Sequence, residues 1–263
     1  AQNVLADAYF NLEIDQSGTK TAQGAVNVAG TLTVQSTGTP IYDIAATTTT
    51  VSGTSTISGT LNINGSGVYD GNGDFAATGA ITMDGTARLQ LSAAGAGVSN
   101  LGTLDDAAGT VAYDGGGQDV LADDYFNLVV DQSGNKTAQG TINVNGDFTA
   151  DNSAVYKPST FGTFVTGATA FNNGAELSFA SGASGVFDAN GTFSDGVNIT
   201  FHPSNGGNLR IQQSPNSFGT FTNNGTVRYD GGTQNIIATD YWSLSIRESG
   251  VKTAAGNINI ENN

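Results

Sequence analysis

The 27 residues from Gln2 to Val28, QNVLADAYFNLEIDQSGTKTAQGAVNV, return from Gln118 to Val144 as QDVLADDYFNLVVDQSGNKTAQGTINV, identical at 20 of 27 positions. A third copy, QNIIATDYWSLSIRESGVKTAAGNINI from Gln234 to Ile260, matches the second at 13 of 27. The spacing is 116 residues both times, so Tyr9, Tyr125 and Tyr241 correspond, as do Lys20, Lys136 and Lys252. A fixed period means that one structural unit is copied and that each copy buries its apolar face against its neighbours. The chain therefore reads as repeat unit 1 over 1–117, entered part-way, unit 2 over 118–233, and the start of unit 3 over 234–263. Both ends fall inside the pattern, and further copies are expected outside this window.

A finer rhythm runs inside the unit. Val51, Ile57, Ile63, Tyr69, Phe75 and Ile81 fall six apart, and Gly53, Gly59, Gly65 and Gly71 follow the first four by two residues. Six-residue spacing suggests one face of a solenoid. In unit 2, glycines at Gly174, Gly191, Gly207 and Gly225 step by 17, 16 and 18 residues, which suggests coils of roughly 17 to 20 residues and about six coils per unit. So short a strand-turn coil cannot enclose its own core, but coils stacked at about 4.8 Å share one and satisfy each other's backbone. The expected fold is all-β, an elongated parallel β-helix (β-solenoid) built from 116-residue repeats. The alternative is a tandem array of immunoglobulin-like β-sandwiches, for which 116 residues is a natural module size. The six-residue rhythm and the lack of a Pro-rich linker favour the solenoid.

Composition narrows the function. Hydrophobic residues make up 38% of the chain, set two apart among small polar ones, which is the period of strands with one buried face. The 37 glycines supply the positive φ angles that repeated tight corners demand. Eight basic residues stand singly in a chain of net charge -15, so no basic patch tracks a phosphate backbone and nucleic acid is not an expected partner. The absence of Cys removes disulfides from the fold, and no apolar run approaches the ~20 residues of a membrane helix, so no direct membrane insertion is expected.

The cassette Tyr-Asp-Gly-Gly-x-Gln, then Tyr-Phe-Asn-Leu, Ser-Gly-x-Lys-Thr and Gly-x-Ile-Asn-Val, resembles the β-strand repeats of giant Gram-negative surface proteins. These include filamentous-haemagglutinin-like adhesins and type-nine-secreted repetitive surface proteins. The resemblance implies export, cell-surface display and a parallel β-helix, and specifies no ligand.

Candidate sites are few. Asp70, Asn72 and Asp74 place oxygen ligands at alternate positions with glycine between, as a calcium loop does, so calcium is the one cofactor raised; an ordinary Asx turn is the preferred reading. The pairs Tyr9-Phe10, Tyr125-Phe126 and Tyr241-Trp242 set adjacent aromatics on opposite sides of a strand, one ring buried and its neighbour free to meet sugar rings or another filament. Lys20, Lys136 and Lys252 follow a Ser-Gly turn and read as solvated turn lysines. His202 is the sole histidine, with no second one to complete a metal set or a catalytic triad. No nucleophile elbow, phosphate loop or paired-carboxylate signature stands out. The expected role is that of an extracellular structural or adhesive fibre, a rigid rod or filament subunit that self-associates and is not an enzyme. A multivalent glycan-binding adhesin is the runner-up, and a polysaccharide-degrading β-helix enzyme the third reading.

Overall fold

The computed structural model describes residues 1–105, 107–179, 184–202, 206–222 and 224–261. Among them every regular element is a strand, and every strand-to-strand register is parallel. The chain is a β-solenoid of about 12 turns rather than a string of antiparallel sandwiches. It divides into two compact units, 1–129 and 130–263.

In the first unit each coil contributes three strands, one to each of three sheet faces. Gln2–Val4, Gly18–Ala22, Pro40–Ile44 and Thr60–Ile63 stack on the first face. Ala8–Tyr9, Val26–Val28, Thr48–Val51 and Val68–Gly71 stack on the second; Leu12–Ile14, Leu32–Val34 and Ser55–Ile57 stack on the third. Two-residue periodicity sends alternate side chains inward, where parallel register piles them into columns. One inward column runs Gln2, Lys20, Tyr42, Leu61, Ile81, Leu104. Another runs Val26, Thr49, Tyr69, Leu89, Val111. Buried hydroxyls pair across the corners, Tyr42 with Thr49 at 2.7 Å and Tyr69 with Ser55, so the polar members of these columns are satisfied within the core.

The six-residue rhythm has a different meaning from the one expected. Val51, Ile57 and Ile63 lie on the second, third and first faces in turn, and Tyr69, Phe75 and Ile81 repeat that order. Each step of six therefore turns one corner instead of marking a single face, and three steps fall two residues short of the 20 that separate register partners such as Val51 and Gly71. Of the associated glycines, Gly53 and Gly59 answer to crowding between coils, whereas Gly65 takes a φ of 61° with open space around it. A Cβ on Gly53 would sit 2.2 Å from the Gly30 carbonyl oxygen, and one on Gly73 would sit 2.3 Å from that of Gly53.

The coil count also needs correction. Fifteen strands run from Gln2–Val4 to Thr110–Tyr113, and two of them, Phe75–Met83 and Val98–Asp105, bend round a corner and pair on two faces, giving 17 segments per period instead of a multiple of three. The cassette consequently starts one face further on in its next copy. Within the first unit Gln2–Val4 belongs to the first face, whereas Gln118 bridges Gly95, just ahead of the bent Val98–Asp105 strand whose first half lies on the third face. Gln118–Val120 to Thr226–Tyr229 again make fifteen strands, with Val186–Thr192 and Asn208–Gln213 as the bent ones.

The second unit repeats the scheme with a more aromatic core. Lys136, Tyr156, Leu177, Ile199 and Phe221 form one column; Thr163, Phe187, Leu209, Val227 and Leu244 form another. Tyr156 meets Thr163 at 2.7 Å, as Tyr42 meets Thr49. The Phe179 and Phe201 rings stack with centroids 4.7 Å apart, and a Cβ on Gly207 or Gly225 would lie within 2.1 Å of them. These two glycines are needed as room for a ring, a role that their turn-like sequence context did not signal.

Candidate functional site

The residues that recur at 116-residue spacing build one local device, the closure of the turn after Tyr113 and Tyr229. In the first unit the Gln118 Oε1 accepts the Gly115 N–H at 2.7 Å, and its Nε2 donates to the Leu91 and Ala93 carbonyls at 2.8 Å each. In the second unit Gln234 Oε1 accepts the Gly231 N–H at 2.8 Å, and its Nε2 donates to the Ile211 carbonyl at 2.9 Å. Lys252 lies in register with Gln234 on the next coil, and its ammonium donates to the Gly231 and Gly232 carbonyls, both at 2.7 Å. One side chain thus holds the N–H of the turn and another its carbonyls.

Lys20 and Lys136 correct the solvated-lysine expectation, because both are buried. The Lys20 ammonium donates to the carbonyls of Gln16, Ser17 and Gly18 at 2.7, 3.0 and 3.2 Å, and Lys136 donates to that of Gln132 at 3.3 Å. The turn wraps the ammonium because Gln16 and Gln132 adopt φ of 58° and 63°, which turns successive carbonyls inward. A buried cation is tolerated when such acceptors replace its water. The sequence signal for this role was the recurrence of Lys after the Ser-Gly pair in all three copies.

The tyrosines form a second device. Tyr113 and Tyr125 hydroxyls lie 3.1 Å apart; Tyr125 donates to the Leu121 carbonyl at 2.7 Å, and Tyr113 accepts the Leu121 N–H at 3.3 Å. Tyr229, Tyr241 and Ile237 repeat the arrangement at 2.9, 2.8 and 3.3 Å. Burial pushes the Tyr113 phenol up from 10.0 to about 12, and raises Tyr229 and Tyr241 as well. Such neutral phenols act as hydrogen-bonding struts.

The six aromatic candidates separate by exposure. Tyr125 and Tyr241 are fully buried and offer no free ring face, whereas Phe10 and Trp242 are exposed and Tyr9 and Phe126 are half-buried. Of the calcium candidates, Asp70 lies on the Val68–Gly71 strand and accepts a hydrogen bond from Thr50 at 3.3 Å. Asn72 and Asp74 are exposed at the following corner, where the Asp74 carbonyl accepts the Ser55 N–H. Among the described residues no three acidic or imidazole side chains gather as a metal site. His202 follows the Val197–Phe201 strand and is half-buried.

No protein-family model, curated protein or solved structure matches this chain. Its chemistry is therefore read from its own surface, which is a set of outward polar ladders. Asp43 accepts from Thr21 at 3.1 Å, Asn62 at 3.0 Å and Asn64 at 2.8 Å, and Thr82 continues the ladder to Asn62 at 2.6 Å. On the second unit Asp188, Arg210 and Arg228 stand in register, with Arg210 paired to Asp188 at 3.3 Å and Arg228 to Asp230 at 3.2 Å. Burial, and then repulsion from Asp188, holds the Asp230 carboxyl above the usual carboxylate range. Sequence reasoning missed this cluster, since Asp188, Arg210 and Arg228 lie on successive coils about 20 residues apart.

Proposed function

We propose that this chain is part of an extracellular structural or adhesive fibre on a bacterial cell surface, acting by reach and rigidity rather than by catalysis. The observation that carries the reading is where the two closest copies of the cassette differ. Five of the seven differing pairs, Asn3/Asp119, Ala8/Asp124, Glu13/Val129, Thr19/Asn135 and Ala25/Thr141, occupy positions that are not buried in either copy. The other two, Ile14/Val130 and Val26/Ile142, are buried and exchange only a methylene. Repetition has kept the coil-building residues and let outward ones drift, the pattern of a chain whose task is to stack coils. The buried Gln118 and Gln234 and the Lys252 ammonium add to that stacking by tying a turn to the neighbouring coil, while Lys20, Lys136 and the paired tyrosines hold the shape of a turn or corner within a coil. Display outside the cell accords with the acidic surface and with the resemblance to repetitive surface proteins, and lateral or end-to-end self-association would make a filament.

Electron microscopy of the native protein extracted from cells tests this. Thin filaments with an axial repeat near ~27 Å are expected, since 17 segments make five and two-thirds coils at about 4.8 Å each. Isolated particles recovered only from the cytosolic fraction would count against it. A glycan-binding reading of the corner aromatics has one specific support, the exposure of Phe10 and Trp242. Its test is a glycan pull-down that weakens on Trp242→Ala; Tyr125→Ala is unsuitable because that ring is a buried strut.

A further inference from the structure

The second unit contains a groove where the first has a closed ladder, and one residue accounts for the difference. In the first unit Leu91 accepts from the cassette glutamine, and Gly95, four residues on, donates its N–H to the Gly117 carbonyl at 2.7 Å and accepts the Asp119 N–H at 2.9 Å. In the second unit Ile211 accepts from Gln234, and the fourth residue on is Pro215. The next strand starts seven residues after the reference carbonyl in both cases, at Val98 and at Phe218. Proline has no N–H to donate. No hydrogen bond joins Pro215 to Thr233 or Asn235 among the described residues; the Gln234 Nε2, which also donates to the Ser214 hydroxyl at 3.3 Å, ties the two coils beside it.

The opening holds about 360 Å³ between Gln212–Asn216 and Thr233–Asn235, and an adjoining hollow of about 300 Å³ runs past Phe218 and Phe221, sharing Asn216, Ile237 and Ala255 with it. The first part is lined by Gln212, Gln213, Asn216 and Asn235; the Gln212 Nε2 donates to Asn190 at 2.5 Å and the Asn216 Nδ2 to Asp195 at 2.8 Å, so the amides of Gln213 and Asn235 are the ones without a protein partner among the described residues. Thr233 and Asn235 line it, the counterparts of Gly117 and Asp119, which bond Gly95 in the first unit through a carbonyl and an N–H. The second part offers ring carbon, with Phe218 and Phe221 stacked at 5.1 Å. Amide donors and acceptors beside an aromatic wall are complementary to hydroxyl groups beside the C–H face of a sugar ring, and the volumes suit one ring each.

We propose that this groove is a binding site for a neutral saccharide of about two sugar units. A peptide strand fits less well, because the lining backbone that could extend a ladder spans only Thr233–Asn235, too short an edge for strand addition. Acidic sugars are disfavoured by a chain of net charge -15. The site does not depend on the fibre reading: a filament could form without it, and a chain that forms no filament could retain it.

Isothermal titration of the intact chain against glucose, galactose, mannose, N-acetylglucosamine and their β-linked and α-linked disaccharides tests the site. At least one neutral disaccharide is expected to bind, and Pro215→Gly, which restores the missing N–H donor, is expected to weaken it at least about tenfold. Phe218→Ala is the second variant, weakening binding through loss of the ring wall while circular dichroism confirms the fold. Absence of binding by every sugar, equal affinity in both variants, or binding of an extended peptide instead of a sugar would overturn the proposal.

Discussion

The hydroxyls of Tyr113 and Tyr125 lie 3.1 Å apart inside the first unit, and both close on Leu121, one accepting its N–H and the other donating to its carbonyl. Two side chains 12 residues apart thus satisfy both polar groups of one residue that turns a corner away from the regular ladder. Tyr229 and Tyr241 do the same for Ile237. Removing one hydroxyl leaves a part-buried carbonyl and a buried phenol short of partners, so Tyr125→Phe should cost about 1–3 kcal/mol in chemical denaturation. A double-mutant cycle with Tyr113→Phe should show coupling of at least about 0.5 kcal/mol. Strict additivity would mean that the ring of hydrogen bonds adds nothing beyond its parts.

The buried lysines make a second case. Replacing Lys20 or Lys136 by Met keeps the apolar stem and strips donors from the turn carbonyls, and should cost about 1–3 kcal/mol by the same reasoning. Lys157→Met, at an outward half-buried position on the Ala154–Lys157 strand, should stay within about 0.5 kcal/mol. Urea midpoints of the three variants, measured side by side, distinguish a structural ammonium from a solvated one.

Crowding between coils predicts a sharp contrast among glycines. A Cβ on Gly53 meets a backbone carbonyl at 2.2 Å, whereas nothing lies within 4 Å of one on Gly116. Gly53→Ala should therefore destabilise by at least about 2 kcal/mol, because backbone must move, while Gly116→Ala should change stability by less than about 1 kcal/mol. Thermal unfolding followed by circular dichroism suffices to compare them.

Stability should fall on the alkaline side. Desolvation raises Tyr42 and Tyr113 from 10.0 to about 12 in the folded chain, while the unfolded chain ionises near 10. Between those values the folded state binds more protons, so stability is intact below pH 10 and declines as pH rises towards 12, by roughly 2–3 kcal/mol for each such residue. Absorbance at the phenolate band should rise together with loss of β-sheet signal. Phenolate appearing near pH 10 in a still-folded chain would contradict the burial argument.

The sequence determined the fold class and the period. Alternation of apolar and small polar residues, together with a cassette returning every 116 residues, is enough to require a repetitive all-β chain, and the short internal rhythm favours stacked coils over tandem sandwiches. It also marked Lys20 and Lys136 by their recurrence, but not their burial, since Lys after Ser-Gly looks the same in a solvated turn as in one whose carbonyls face inward. Only the tertiary structure decided the meaning of the six-residue rhythm, the 17-segment period and the pairing of Tyr113 with Tyr125. The same holds for Pro215, an unremarkable loop proline until Gly95 is seen bonding Gly117 in the equivalent place. The reason is that in a solenoid the decisive neighbours lie one coil away. A contact between residues about 20 apart depends on how many residues each corner consumes, and the corners at Phe75–Met83, Val98–Asp105, Val186–Thr192 and Asn208–Gln213 are turned without a break in the strand, so a glycine such as Gly79 or Gly191 there looks no different from one in a loop.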